Sequence, residues 1–183
     1  MNKDSRRRAV ALGTFDGLHP GHRAVIHACV QLARQNNASA LVYTFWENPK
    51  SLFGTRPVDI TPAPVKLTRI LELGADEVAA DHFTPALSRL SPEQFIVLLS
   101  ERFHPIAFVC GEDYSFGADG TGSSETLKHL AAQQGIETLI VPTVKVLTAQ
   151  GYSDKKVSST LIRTALQSGD TQTANKLLSG EAI

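Results

Sequence analysis

Apolar runs alternate with amphipathic stretches along most of this chain. Ala9-Val10-Ala11-Leu12, Ala40-Leu41-Val42-Tyr43-Thr44-Phe45 and Ile106-Ala107-Phe108-Val109-Cys110 are close to continuously apolar. Strands of that kind are covered on both faces, as in a parallel sheet. Between them, apolar residues recur at helical spacing, as in Val25, Ala28, Cys29, Leu32 and Ala33, or Phe95, Leu98, Leu99 and Phe103. The pattern predicts strands at 8–13, 39–45, 76–80, 106–111 and 137–142, and helices at 22–36, 64–73, 92–103 and 124–134, followed by a helical end. Local signals mark several ends. Ser91-Pro92-Glu93-Gln94 combines an N-cap serine, a proline at the first helical position and a glutamine three residues after the cap. Gly169 closes the helix that begins near Ser159, and Asp170 can cap a last short one. Strand-helix alternation of this type predicts an α/β fold, a doubly wound parallel sheet with its ligand crevice at the carboxyl ends of the strands.

Length and composition narrow the classes. A chain of 183 residues with 42% hydrophobic and 20% charged residues suits a single domain, 1–183, with a core of about 8–168 and a helical tail at 170–183. Lysine plus arginine equals aspartate plus glutamate at 18 each, so no overall field favours nucleic acid or an anionic membrane. The cluster Arg6-Arg7-Arg8 reads as a solvated lead-in to the first strand. No apolar stretch approaches the ~20 residues that span a bilayer, and the charged N-terminus lacks a following apolar region, so a cytoplasmic protein without a signal peptide is expected. Cys29 and Cys110 sit in apolar runs and read as small core residues. The sequence leaves oligomeric state open.

Candidate chemistry concentrates in four motifs, three at strand ends and one at a helix start. Gly13-Thr14-Phe15-Asp16-Gly17-Leu18-His19-Pro20-Gly21-His22 links a strand to a helix, leaving the first helical N–H groups unpaired beside two histidines. Free amides, a helix dipole and two imidazoles suit a polyphosphate whose charge rises during reaction. After the second strand comes Thr44-Phe45-Trp46-Glu47-Asn48-Pro49, whose adjacent aromatics can stack on a flat ring or plug the crevice. After the strand ending at Cys110 comes Gly111-Glu112-Asp113-Tyr114-Ser115-Phe116-Gly117, with a close-approach glycine, a carboxylate and two rings. Val157-Ser158-Ser159-Thr160-Leu161-Ile162-Arg163 places three hydroxylated residues at a helix start with an arginine one turn on; hydroxyls, amides and a guanidinium can converge on one anion.

His19-Pro20-Gly21-His22 resembles the His-x-Gly-His signature of the nucleotidylyltransferase superfamily, and with Phe15-Asp16-Gly17 ahead of it the motif is similar to the FMN adenylyltransferase (FAD synthetase) branch. The other three motifs follow in that family's order, from 13 to 163, and Ser158 to Arg163 matches Ser-Ser-Thr-x-Ile-Arg in full. The resemblance implies a Rossmann-like nucleotidylyltransferase that transfers AMP from MgATP to FMN, giving FAD and pyrophosphate. It implies catalytic roles for His19, His22 and Arg163, and nucleotide contacts from Gly13, Thr14, Phe15, Asp16, Gly21, Gly111, Ser158, Ser159 and Thr160. Asp16 would shape the turn rather than bind metal. Flavin contacts would come from Phe45, Trp46, Asn48, Pro49, Asp113, Tyr114 and Phe116. Mg²⁺ would be held mainly by phosphates and water, with no dedicated protein ligands. The ending Ala174-Asn175-Lys176-Leu177-Leu178 is similar to the segment that leads into the riboflavin kinase domain of bifunctional relatives, so no kinase activity is expected from a chain stopping at Ile183. Two departures stand out: Trp46, Glu47 and Asn48 replace the family's Asp, Pro and His, and residues 118–122 lack the usual basic residues. They leave room for a related enzyme with another phosphate acceptor, or for a flavin-nucleotide binding protein without catalysis.

Overall fold

A computed structural model describes residues 7–54, 57, 59–149 and 151–183; Arg6 lies outside them. The first part of the chain alternates β1 (Arg8–Leu12), α1 (Pro20–Gln35), β2 (Ser39–Phe45), α2 (Ala63–Glu72) and β3 (Glu77–Asp81). It continues with α3 (Pro85–Ser88), α4 (Pro92–Phe103), β4 (Pro105–Gly111), a small β5 (Ser115–Phe116) and β6 (Gly122–Ser123) ribbon, α5 (Ser124–Ala132) and β7 (Glu137–Val141). A hairpin of β8 (Lys145–Thr148) and β9 (Gly151–Lys156) precedes α6 (Ser159–Gln167) and α7 (Thr171–Ser179).

Five strands form one parallel sheet in the order β3-β2-β1-β4-β7. Side chains of β1 alternate between its faces. Val10 and Leu12 pack with Phe95, Leu99 and Leu127 of α4 and α5, while Ala9 and Ala11 pack with Ile26, Cys29 and Ala33 of α1 and Ile70 of α2. The alanines let α1 sit close to the sheet, with Cys29 Sγ 3.3 Å from Ala9 O. Both cysteines are buried and unbridged, as expected of core residues. This is the expected doubly wound, Rossmann-like sheet. Strands β2 and β3 are added outward on one side of β1, and β4 and β7 on the other, so the strand order switches between β1 and β4 and a crevice opens over their carboxyl ends.

Cap signals held where the chemistry was local. Ser91 and Gln94 form a reciprocal capping box, and Asp170 accepts from Thr173 N at 3.0 Å. Three expectations need correction. Arg8 is not a solvated lead-in: it is 3% exposed, its Nε and Nη2 donate to Glu77 at 3.0 and 3.1 Å, and Nη1 donates to Phe103 O. β1 is central, so even its first residue lies inside. The first helix begins at Pro20 rather than 22, because proline with its fixed φ fits the first helical position. The β8–β9 hairpin was missed because β9, Gly-Tyr-Ser-Asp-Lys-Lys, is almost wholly exposed and has no apolar alternation. Its one buried anchor, Val146, joins Val157, Ile162, Ala165, Ala174 and Leu177 in a third core beneath α6 and α7.

Candidate active site

The turn from β1 to α1 is held by unusual backbone. Phe15 and Leu18 adopt left-handed φ angles of 52° and 47°, conformations that cost free energy and cluster at functional sites. The buried Phe15 ring folds back under Gly13, where an added Cβ would lie 2.9 Å from the ring. His19 is the N-cap of α1 but makes no side-chain cap bond, and the first turn carries no acidic residue. The positive end of α1 is therefore left for a ligand. A Cβ at Gly21 would press against the His19 ring at 3.2 Å, which makes glycine the residue that gives this ring its place.

The two imidazoles stack at 3.7 Å between centroids, and His22 also meets the edge of Phe15 at 5.4 Å. Both Nδ1 atoms are buried and meet no hydrogen-bond partner among the described residues. Burial pulls the His19 pKa down to about 4, with Arg23 adding to it and Asp113 and Asp16 opposing. Burial also holds His22 well below the ordinary imidazole range, reinforced by His19, Lys66 and Arg163. Both rings are neutral near pH 7. In the unfolded chain His19 takes a proton near its ordinary 6.5, so protons favour unfolding as the pH falls from there to about 4. The expected loss is on the order of 3 kcal/mol from His19 alone, with His22 acting in the same direction. Urea unfolding at pH values of about 7 and 5 checks this, about 2 kcal/mol of the loss falling within that window; His19→Gln should reduce the difference.

Asp16 joins three segments. Its carboxylate accepts from Ile60 N at 3.0 Å, Thr61 N at 3.0 Å and Arg163 Nη2 at 2.5 Å, and its carbonyl accepts from Ser159 Oγ at 2.9 Å. The helix carrying the Ser-Ser-Thr run is thus docked onto the β1–α1 turn. Ser158 caps α6 by accepting from Leu161 N.

These segments border one cleft of about 690 Å³. Gly13, Thr14, Phe15, His19, Gly21 and His22 line it from the first turn, and Ser158, Ser159, Thr160 and Arg163 from α6. Phe45, Asn48 and Pro49 line it from the tip of β2, and Gly111, Asp113, Tyr114 and Phe116 from the loop after β4. Two anticipated residues do not. Asp16 lies behind the wall, engaged as above. Trp46 turns outward onto His82, rings 6.2 Å apart, while Glu47 accepts from Phe83 N at 2.9 Å. Asn48 caps the short 3₁₀ turn Pro49–Phe53 by accepting from Lys50 N. Asp113 is paired with Lys156, at the end of β9.

Sequence reasoning missed Phe83 and Phe53, which with Phe45 form an edge-to-face aromatic wall at 5.2 and 6.4 Å. Phe83 follows the carboxyl end of β3, the place where the sheet rule directs attention. Lys50 also lines the cleft, supplying a cation that the loop at 118–122 does not. Lys66, 5% exposed in α2, was missed too, although it falls on the apolar stripe of Ile70 and Leu73.

A parallel sheet of this order, with an uncapped helix N-terminus and two histidines facing a cleft at the β1/β4 switch point, defines a Rossmann-like protein of nucleotidylyltransferase type. Residues 1–161 match the FAD synthetase family, and the chain belongs to it. It is 35% identical over 182 residues, 97% of this chain, to a bifunctional riboflavin kinase/FMN adenylyltransferase of Bacillus subtilis, covering 55% of that protein. It is 25% identical, again over 97% of this chain, to an FAD synthetase of Listeria monocytogenes, covering 70% of that one. The chain spans about half the length of the bifunctional relatives it matches. A Streptococcus pneumoniae crystal structure described as a macrolide-efflux protein shares the fold at a TM-score of 0.82 and 28% identity, covering 97% of this chain and 56% of that one. Among the described residues no helix is long and apolar enough to cross a membrane.

Proposed function

We propose that this chain is an FMN adenylyltransferase: the phosphate of FMN attacks the α-phosphorus of MgATP, giving FAD and releasing pyrophosphate. The observation that carries the reading is the convergence of the His19–His22 pair, the open N-terminus of α1 and the Ser159–Thr160–Arg163 face on one cleft with an aromatic far side. A phosphate monoester is already ionised near neutral pH, so no protein nucleophile is required. The protein's work is to bring two anions together in line and to stabilise charge on the departing pyrophosphate. His19 and His22 donate to α- and β-phosphate oxygens beside the amides of α1. Arg163, Ser159 and Thr160 hold the β,γ end. Phe45, Phe83, Tyr114 and Phe116 receive the isoalloxazine ring.

Among the described residues no group of three metal-ligating side chains is assembled. Asp16 and Asp113 are engaged by Arg163 and Lys156. In this reading Mg²⁺ would enter as part of the MgATP substrate, held mainly by phosphate oxygens and water, and no step here is routed through it. The reading takes 1–183 as one cytoplasmic domain; Ala174 and Leu177 share the core of Val157 and Ile162, which ties the last helix to the rest.

Incubating the protein with FMN, ATP and Mg²⁺ should yield FAD by chromatography with matching release of pyrophosphate. No FAD, with AMP transferred to another acceptor in a panel, would favour the second reading, a different phosphate substrate. That alternative rests on Trp46 and Glu47, which turn the altered motif toward His82 and Phe83 rather than into the cleft. Failure of any pyrophosphate release would leave a binding protein.

A further inference from the structure

Lys66 is a buried cation beside the cleft that this mechanism does not use. It stands on α2, one turn before Ile70, and its Nζ donates to Phe45 O at 2.6 Å and to Thr14 O at 3.2 Å. It thereby bridges the carboxyl tips of β2 and β1. Thr44 Oγ1 donates to the same Thr14 carbonyl at 3.0 Å. Burying an ammonium against two neutral carbonyls is costly. Burial lowers the Lys66 pKa, and Asp16, Asp59 and Glu47 only partly offset that. A hydrocarbon side chain could fill the same space more cheaply, so packing alone does not account for a lysine here.

The geometry gives it a task. No cis peptide occurs among the described residues, and in a trans peptide the C=O and the following N–H point in opposite directions. With the Thr14 carbonyl held toward α2, the Phe15 N–H is turned the other way. It meets no backbone acceptor among the described residues, while Thr14, Phe15 and His22 all border the cleft. The tip of β2 shows the same rule: Phe45 O is held by Lys66, and the next N–H, of Trp46, reaches across to Asp81 O at 3.0 Å.

We propose that Lys66 is a positioning residue that turns the Thr14–Phe15 peptide so that its N–H faces the bound polyphosphate, and sets a positive charge behind His22. The inference rests on the function proposed above, but its test can be read without FMN. In Lys66→Met, which keeps the length and loses both donors and charge, the Phe15 amide resonance should no longer respond to added pyrophosphate. Pyrophosphate affinity by calorimetry should fall about tenfold. Turnover with ATP and FMN should drop about a hundredfold, as expected when a contact group is misplaced. Lys66→Gln, which can still donate to a carbonyl, should recover the Phe15 response while binding pyrophosphate less well than wild type. Wild-type pyrophosphate affinity with an unaltered Phe15 response in Lys66→Met overturns the proposal. Should that variant fail to fold, wild-type pyrophosphate affinity in Lys66→Gln overturns the role of the charge, and a Phe15 amide that ignores pyrophosphate in the wild-type protein overturns the role in turning the peptide. Inert FMN with these binding effects intact would count against the adenylyl transfer and not against Lys66.

Discussion

His22→Ala is expected to lower the turnover number for adenylyl transfer by a factor of about 10²–10³, or about 3–4 kcal/mol, the scale for one preorganised donor to developing charge. The ring sits in the first turn of α1, stacked on His19 and braced by the edge of Phe15, so its direction is fixed before any ligand arrives. Its charge state is fixed as well: burial and the nearby cations keep it neutral in the free protein. In the proposed reaction a polyphosphate would reverse that balance by placing negative charge at the ring, and the gain would grow as pyrophosphate departs. Alanine removes the donor and leaves a small cavity beside Phe15 that costs some stability, but no hydrogen bond among the described residues is lost, because Nδ1 meets no partner among them. Steady-state kinetics with matched circular dichroism spectra decide the matter; an unchanged turnover number takes the histidine out of the mechanism.

Asp16→Asn should be the most damaging conservative change to the site's architecture. Asparagine can still accept from Ile60 N and Thr61 N, so the substitution isolates the charge facing Arg163. That pair is almost wholly buried, with side-chain exposures of 13% and 6%. Removing one charge from a buried pair is expected to cost about 2–3 kcal/mol. The loss should be visible in urea unfolding of the free protein and smaller with saturating MgATP, whose phosphates restore negative charge beside the guanidinium. Equal losses with and without nucleotide would show that Arg163 does not face the phosphates.

The sheet was legible because its strands are buried on both faces and therefore write themselves as unbroken apolar runs, Ala9 to Leu12 and Phe108 to Cys110 among them. The cleft was legible for a related reason: its motifs sit at strand ends, where the chain switches abruptly from apolar to glycine, histidine and serine. What stayed hidden depended on partners distant in sequence. Arg8 reads as one more solvated base until Glu77 is brought beside it, 69 residues away. Lys66 falls on the apolar stripe of α2, but its role is invisible until the Thr14 and Phe45 carbonyls are brought to its Nζ. Trp46 stands where the family motif has Asp and reads as a flavin contact by its place in that motif, yet the stack on His82 and the Glu47–Phe83 bond carry it off the cleft. β9 lacked any alternation because almost nothing on it is buried.

The uncharged state of the stacked rings reaches beyond catalysis. With no charge on their imidazoles, the two rings themselves add little to the pull that Lys50 and the open end of α1 exert on stray monoanions. Only a ligand negative enough to raise both ring pKa values would recruit protons as it docks, which makes the surrounding buffer a participant in recognition. The heat of nucleotide binding would then vary with the ionisation enthalpy of that buffer, and a polyphosphate tail would be told from a lone phosphate by how firmly it holds the protons it gathers.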